Sequence, residues 1–423
     1  MQASTIAIII IILTIVMYAT EVIPISITAL ISCLAMSIVG AAKYSTAFSG
    51  FSHDVTMMVA GMMVVGDCLF ETGAAEYIGS RLVKMFGRTE KGFITICIAV
   101  TALLSSFLNN SATAAMMMPI MASSVAASKG ILTKKHSFMA VGFAAIAGGG
   151  CTLIGSTPQL IAQGMIAEAG GATCGFFDYL PSGLIKVGLL LIYFVTIGYF
   201  LMKKVFTFEE VKSEAVASEE AAAETRLTVK MIISILILAG CIAGFITQLW
   251  SYGTVSMVGG VLCVITGCLP AKKLFKQLDW STIIVVAGGL GFASCLSESG
   301  AGIVIANWLI GLIGRNASPW LILAALGLLA SIFGNIMSHS ATTAILCPIA
   351  LFMAKDLGID PRTMGMCIVI FCNITYCTPI STPANTLTLV AGYRFMDYVK
   401  VGGVLNVITY AATVAVLPLL FSL

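Results

Sequence analysis

Small polar residues recur as matched clusters in an otherwise apolar chain. Asn109-Asn110-Ser111-Ala112-Thr113 is echoed by Ser338-His339-Ser340-Ala341-Thr342, and Gly155-Ser156-Thr157-Pro158-Gln159 by Ser381-Thr382-Pro383-Ala384-Asn385. Asn and Ser are helix-capping types, so Asn109, Asn110, Ser111, Ser338 and Ser340 stand where a helix would begin. Such an N-terminus presents unpaired N–H groups and the positive end of a dipole, which together favour an anion. The opposing carbonyl ends, with hydroxyl and amide oxygens, suit a small hard cation such as sodium. No Lys or Arg lies in these stretches. An anion held there would be neutralised by helix termini and a bound cation, and the cation would then form part of the anion's site.

Blander readings exist for each residue. Ser and Thr inside membrane helices often bond back to the preceding turn, which would account for Thr113 or Thr342 alone. Their paired occurrence in two parts of the chain argues for a site. His339 reads either as a packing residue or as an imidazole, a group that titrates near neutrality, supplying the positive charge itself. A hydrolase using Ser338 or Ser340 with His339 is disfavoured, because adjacent residues on a helix point roughly 100° apart. A passive channel and a carrier of arsenite or exchanger of sodium for protons are the other rivals.

These clusters need elements to position them. The chain is 59% hydrophobic and 10% charged, against roughly 25% charged in a soluble domain, so it reads as a polytopic membrane protein. Its net charge of +3 implies no nucleic-acid partner. The first apolar segment, 6–18, lacks a basic flank and a small-residue cleavage site and reads as retained. Thirteen scattered cysteines without a Cys-x-x-Cys pair indicate neither a zinc site nor a disulfide frame.

The chain is written twice. Glu71, Gly73, Ala74, Ile78 and Leu82 match Glu298, Gly300, Ala301, Ile305 and Leu309 at one constant offset, and the two polar clusters follow in the same order. Each half reads as three spans, an amphipathic stretch, a pair of short apolar helices broken at Ser-Ala-Thr, a Gly/Pro-interrupted span and a last full span. If the short pair is re-entrant, each half crosses the membrane an odd number of times and the halves are inverted. The predicted fold is therefore all-α: two inverted repeats of five spans, residues 1–202 and 231–423, with two re-entrant hairpins, two broken helices and a polar cytoplasmic linker at 203–230. Basic residues segregate accordingly. One side collects Arg81, Lys84, Arg88, Lys91, Lys203, Lys204, Lys272, Lys273 and others, while the opposite side keeps only Lys43, Lys186, Arg315, Lys355 and Arg362. The first side is then cytoplasmic. Both termini lie outside, hairpin one enters from the cytoplasm and hairpin two from outside. Glu71 and Glu298 read as interfacial caps or polar contacts.

At these motifs the chain resembles the divalent anion/sodium symporter family, the carriers of dicarboxylates, citrate and sulfate. The family carries Ser-Asn-Thr followed by Ala-Thr at each hairpin tip and Gly-Thr-Pro-Pro-Asn in each broken span; its closing stretch is similar to Ala391 to Ile408 here. The resemblance implies a first cation site at Ser105, Asn109, Asn110 and Gly155, and a second at Gly334, Met337, His339 and Ser381. It implies substrate contacts from Asn110, Ser111, Ser156, Ser340, Thr382 and Pro383, with Thr113, Thr157, Ser338, His339 and Thr342 as their neighbours in the motifs. It further implies a homodimer in the plasma membrane, the inner membrane of a bacterium, carrying a C4-dicarboxylate such as succinate, malate or fumarate, or else citrate or sulfate, with one or two sodium ions. Motion would be of the elevator type, a transport domain at about 92–202 and 319–423 sliding on a scaffold at about 1–91 and 231–318. This chain departs from the family at Asn109, at serines in place of both motif threonines, and at His339, where the family has asparagine.

Overall fold

The computed structural model describes residues 3–86, 89–128, 130–207, 227–313 and 318–421. Most of the predicted linker, with Lys212 and Arg226, lies outside the described residues, as do Arg88, Lys129 and Arg315. The described residues are helical without strands, and the helices come in two parallel series. The first is α1 (Ala3–Thr20), α2 (Ile25–Ile38), the single turn α3 (Tyr44–Ala47), α4 (Asp54–Glu71), α5 (Ala74–Phe86), α6 (Glu90–Ser105), α7 (Asn110–Ala127), α8 (Lys134–Gly149), α9 (Thr157–Glu168), α10 (Leu180–Val195) and α11 (Ile197–Val205). The second is α12 (Val229–Thr247), α13 (Tyr252–Ile265), α14 (Ala271–Gln277), α15 (Trp280–Ser299), α16 (Ala301–Ile313), α17 (Pro319–Ile336), α18 (His339–Leu357), α19 (Pro361–Cys372), α20 (Pro383–Thr388) and α21 (Phe395–Leu420).

The repetition reaches the backbone. Among the described residues the two non-glycine positions with left-handed φ, Glu21 (47°) and Gln248 (52°), each follow the first helix of a series. Gly73 (φ 76°) and Gly300 (φ 71°) turn the chain into α5 and α16, where any side chain would be strained. Close approaches repeat as well. A Cβ on Gly61 of α4 would stand 2.4 Å from the Ser256 backbone of α13, and one on Gly288 of α15 would stand 2.8 Å from Ala29 Cβ of α2. The spans of the two series are thus interleaved, α4 on α13 and α15 on α2. Glu71 accepts from Lys273 Nζ at 2.6 Å and Glu298 from the Lys43 N–H at 3.2 Å, so both make the expected polar contacts.

Burial divides the helices by environment. α8, α9, α18 and α19 are enclosed almost throughout, whereas only 22% of the apolar window of α12 or of α21 is buried. The exposed apolar faces of α12 and α21 read as lipid-facing, since water has no reason to solvate them.

By length and composition five described helices could cross a membrane, α17 and α18 among them, or up to seven if each bent pair is one span, with α1, α2, α13 and α19 as shorter apolar helices. Two expectations change. The hairpin helices are not short: α17 and α18 have 18 and 19 residues, about 27 Å at 1.5 Å per residue. The helix-compatible sequence simply continues through Pro119 and Pro348. Finally, the last span of the first series is bent by 53° between α10 and α11. Thr196 stands at the bend and its Oγ1 donates to the Ile192 carbonyl at 2.5 Å, a back-bond of the kind that bends helices.

Candidate functional site

The loop between α6 and α7 and the loop between α17 and α18 bring their tips to one cavity of ≈ 610 Å³. Asn109 caps α7, its Oδ1 accepting from Ser111 N–H at 2.9 Å. Ser338 caps α18, its Oγ accepting from Ala341 N–H at 3.2 Å. The broken spans contribute their second halves: α9 starts after Ser156, and the short α20 after Thr382, whose Oγ1 accepts from Asn385 N–H at 3.3 Å. The N-termini of α7, α9 and α18 therefore converge on the cavity with α20 beside them. Each carries roughly half a positive charge, and no Lys or Arg lines the space.

Of the expected residues, Asn109, Asn110, Ser111, Gly155, Ser156, Thr157, Ser338, His339, Ser340, Ser381, Thr382 and Pro383 line this cavity. Ser105, Thr113, Gly334, Met337 and Thr342 are not on its wall. Thr113 and Thr342 are fully buried behind the tips. Thr342 Oγ1 back-bonds to the Ser338 carbonyl at 3.1 Å, while Thr113 Oγ1 has no partner.

Ser105 and Asn110 form an oxygen cluster behind the first tip. Ser105 Oγ lies 2.8 Å from Asn110 Oδ1 and 2.8 Å from the Ala145 carbonyl. With the amide in this orientation Oδ1 also faces the Gly155 and Ala145 carbonyls; turned over, Nδ2 would donate to each at 3.0 Å. Two arrangements satisfy such a cluster: a cation among four neutral oxygens, or the amide reversed so that its N–H groups fill the space. The donor set, a hydroxyl, an amide and two carbonyls, fits a hard monovalent cation. Gly149 makes the approach possible, since a Cβ there would stand 2.0 Å from Asn110 Oδ1.

The second tip differs. His339 occupies the first helical position of α18, as Asn110 does in α7. It is 8% exposed and its Nδ1 has no partner, so neither Ser338 nor Ser340 bonds to that nitrogen. The carbonyls of the second break are already taken: Thr375 and Thr378 accept from Asn385 Nδ2 at 3.0 and 3.2 Å and from Ser381 Oγ at 3.3 and 3.2 Å. Gly334 offers no side chain and Met337 only a soft thioether. This set fits sodium less well than the first.

Several supporting residues were not among the expected site residues. Gln159 Nε2 donates across the first break to the Gly149 carbonyl at 3.1 Å, as Asn385 does across the second. Asn373 joins the two breaks, accepting from Ser156 Oγ at 3.4 Å and donating to Gln159 Oε1 at 3.3 Å. Asn335 and Asn406 bond the backbone of the loop at 374–377. Irregular backbone at membrane depth requires such partners. Gln159 and Asn385 close the paired stretches 155–159 and 381–385, whereas Asn373, Asn335 and Asn406 lie outside them.

Lys186, expected among the residues of the outer side, approaches the second break instead. It lies not in an outer loop but within α10, 2% exposed. Its Nζ donates to the Ile370 carbonyl near the C-terminus of α19 at 2.9 Å. A Cβ on Gly150 would stand 3.7 Å from that nitrogen. A helix C-terminus is the negative end of its dipole and attracts an ammonium, which is why this side chain turns inward.

The citrate transporter family model matches residues 15–361. The chain belongs to the citrate transporter family. As a member it is a membrane transporter and not an enzyme. Its relatives include the sodium-dependent dicarboxylate transporter SdcS of Staphylococcus saprophyticus, 23% identical over 411 residues, 89% of this chain and 78% of SdcS. With YfbS of Escherichia coli, an uncharacterized transporter, it shares 33% identity over 165 residues, 38% of this chain, and it spans only 27% of YfbS. Among solved structures MtrF of Neisseria gonorrhoeae, described among antimetabolite efflux pumps, aligns over 99% of this citrate transporter family member and 94% of MtrF, with a TM-score of 0.64 at 13% identity. That likeness concerns the fold alone. The family and the dicarboxylate relatives agree with the divalent anion/sodium symporter resemblance drawn from the motifs.

Proposed function

We propose that the chain is a secondary active transporter that carries a small divalent anion, with a C4-dicarboxylate such as succinate, malate or fumarate as first choice and citrate as second, driven by sodium. One observation carries the reading: helix N-termini from both halves converge on a single cavity that no Lys or Arg lines. The substrate carboxylates would meet the N–H groups and hydroxyls of Ser111, Ser156, Ser340 and Thr382. Sodium would sit among Ser105, Asn110, Ala145 and Gly155. Asn110 and Gly155 line the cavity as well as the cation's place, which gives the cation a direct hold on the anion's binding free energy.

The relatives support sodium and dicarboxylate, since SdcS is named for both. The repeated helix order supports inverted halves working as an elevator, with the hairpins and broken spans as the moving unit on a scaffold, within a homodimer. Asp279, which caps α15 and lines the cavity, would stand on the cytoplasmic side in the orientation set by the basic loops, which supports a mouth facing the cytoplasm.

Thermal unfolding of the purified protein against succinate, malate, citrate and sulfate, in sodium and in choline, tests the reading, because a ligand of the folded state raises its apparent stability. A shift with a dicarboxylate or citrate that requires sodium is expected. No shift with any anion in either salt would contradict it.

A second reading rests on His339. Its unpartnered, buried Nδ1 at the position of Asn110 would let a proton or fixed charge replace a second sodium, giving a proton-coupled carrier or an anion exchanger. Uptake into vesicles under separately imposed sodium and proton gradients discriminates. If sodium alone drives full uptake and His339→Asn changes nothing, this version is wrong.

A further inference from the structure

One carboxylate already touches the anion-binding face. Glu21 follows α1 with left-handed backbone (φ 47°), lines the cavity, and its Oε1 accepts from the Ser338 N–H at 3.3 Å. Ser338 is the residue that caps α18, so this N–H belongs to the second hairpin tip, where an anion's oxygen would be received. Glu21 is solvent-exposed, and among the described residues no cation pairs with it. Its counterpart in the other half, Gln248, has the same backbone conformation but an uncharged amide, bonded to Tyr252 Oη at 3.2 Å. The repeated element is the turn; the charge is peculiar to the first half.

We infer that Glu21 is a tethered competitor for the substrate's carboxylate. The inference rests on the transport reading above and deepens it. In the substrate-free carrier the Glu21 carboxylate satisfies the hairpin-two tip. An arriving dianion must displace it, and the displaced charge, still tethered at the cavity wall, weakens the dianion's hold. When the dianion leaves, Glu21 returns to Ser338. Glu21 therefore acts as a positioning residue that sets affinity and favours release, contributed by a span outside both hairpins.

Titration calorimetry of wild type, Glu21→Gln and Glu21→Ala with succinate and with citrate, in saturating sodium at fixed ionic strength, tests this. Glutamine keeps an oxygen acceptor and loses the charge; alanine loses both. Both variants are expected to bind about three- to tenfold more tightly than wild type, a difference of up to about 1.4 kcal/mol. If wild type binds and the glutamine variant is unchanged or weaker, the inference is wrong while the transport reading stands. If alanine weakens binding and glutamine does not alter it, Glu21 is only a structural cap, which also overturns the proposal. If none of the three proteins binds either anion, the transport reading itself falls, and this one with it.

Discussion

Lys186 Nζ donates to the Ile370 carbonyl at 2.9 Å, placing an ammonium from α10 against the C-terminus of the first half of a broken span in the other half of the chain. No carboxylate pairs with it among the described residues. A buried, unpaired charge costs several kcal/mol in desolvation, more than the roughly 1–3 kcal/mol at stake in leaving one carbonyl unbonded. Lys186→Met is accordingly expected to fold with equal or higher thermal stability. Anion affinity, deprived of a buried positive charge set against the broken span, is expected to fall about tenfold. Unfolding temperature and succinate affinity measured on the same preparation check both halves of the prediction. A variant that loses stability but keeps its affinity would make the lysine a structural group.

The contrast between Lys186 and the paired motifs explains what sequence can reveal here. Asn110 and His339, or Ser156 and Thr382, were recognisable because duplication wrote each position twice. The cavity then brings most of those residues together. Lys186, Glu21 and Asn373 act through partners more than 180 positions away, and nothing local marks them. Helix order was legible from hydropathy and from Gly73 and Gly300. Hairpin length and the bend at Thr196 were not, because a helix-compatible apolar run does not say where packing will let it continue.

The oxygen cluster at the first tip makes a specific demand of Ser105 and Asn110. Ser105→Ala and Asn110→Ala each remove one of four oxygens, and the apparent sodium affinity is expected to fall at least about tenfold, or about 1.4 kcal/mol. Sodium titrations of the substrate-induced thermal shift, with choline as balance, measure it. Unaltered sodium dependence in both variants would place the cation elsewhere.

Gly149 is where the first hairpin and the first break come closest. An added Cβ would meet Asn110 Oδ1 at 2.0 Å and the Gly155 carbonyl at 2.8 Å. Gly149→Ala must push the tip away, with a stability loss of about 1–3 kcal/mol. Loss of the sodium-dependent shift is expected to exceed the general loss of stability. An alanine variant with normal sodium response would contradict the close approach.

At the interfacial base of the first hairpin, Glu90 accepts from Tyr199 Oη at 2.7 Å and from Thr133 Oγ1 at 2.8 Å, with His136 Nδ1 also at 2.8 Å. Burial raises its carboxyl, but these hydrogen bonds outweigh it and hold the group below its ordinary value of 4.5. A depressed carboxyl stabilises the fold above its unfolded value, and that contribution is lost as pH falls through the folded one. Wild type is therefore expected to be more stable than Glu90→Gln near neutrality, with the gap closing as pH falls through the ordinary carboxyl value of 4.5 and on toward the lower folded one. Paired melting curves across that range check it; a gap that widens on acidification would be the wrong sign.

The most direct test of the central claim is uptake of labelled succinate into vesicles containing the purified protein, with sodium imposed outside, inside or not at all. Inward sodium gradients are expected to drive accumulation above the external concentration, and Ser105→Ala with Asn110→Ala to abolish that gain. Equal uptake with and without a sodium gradient, or accumulation that survives loss of both oxygen donors, would contradict the account.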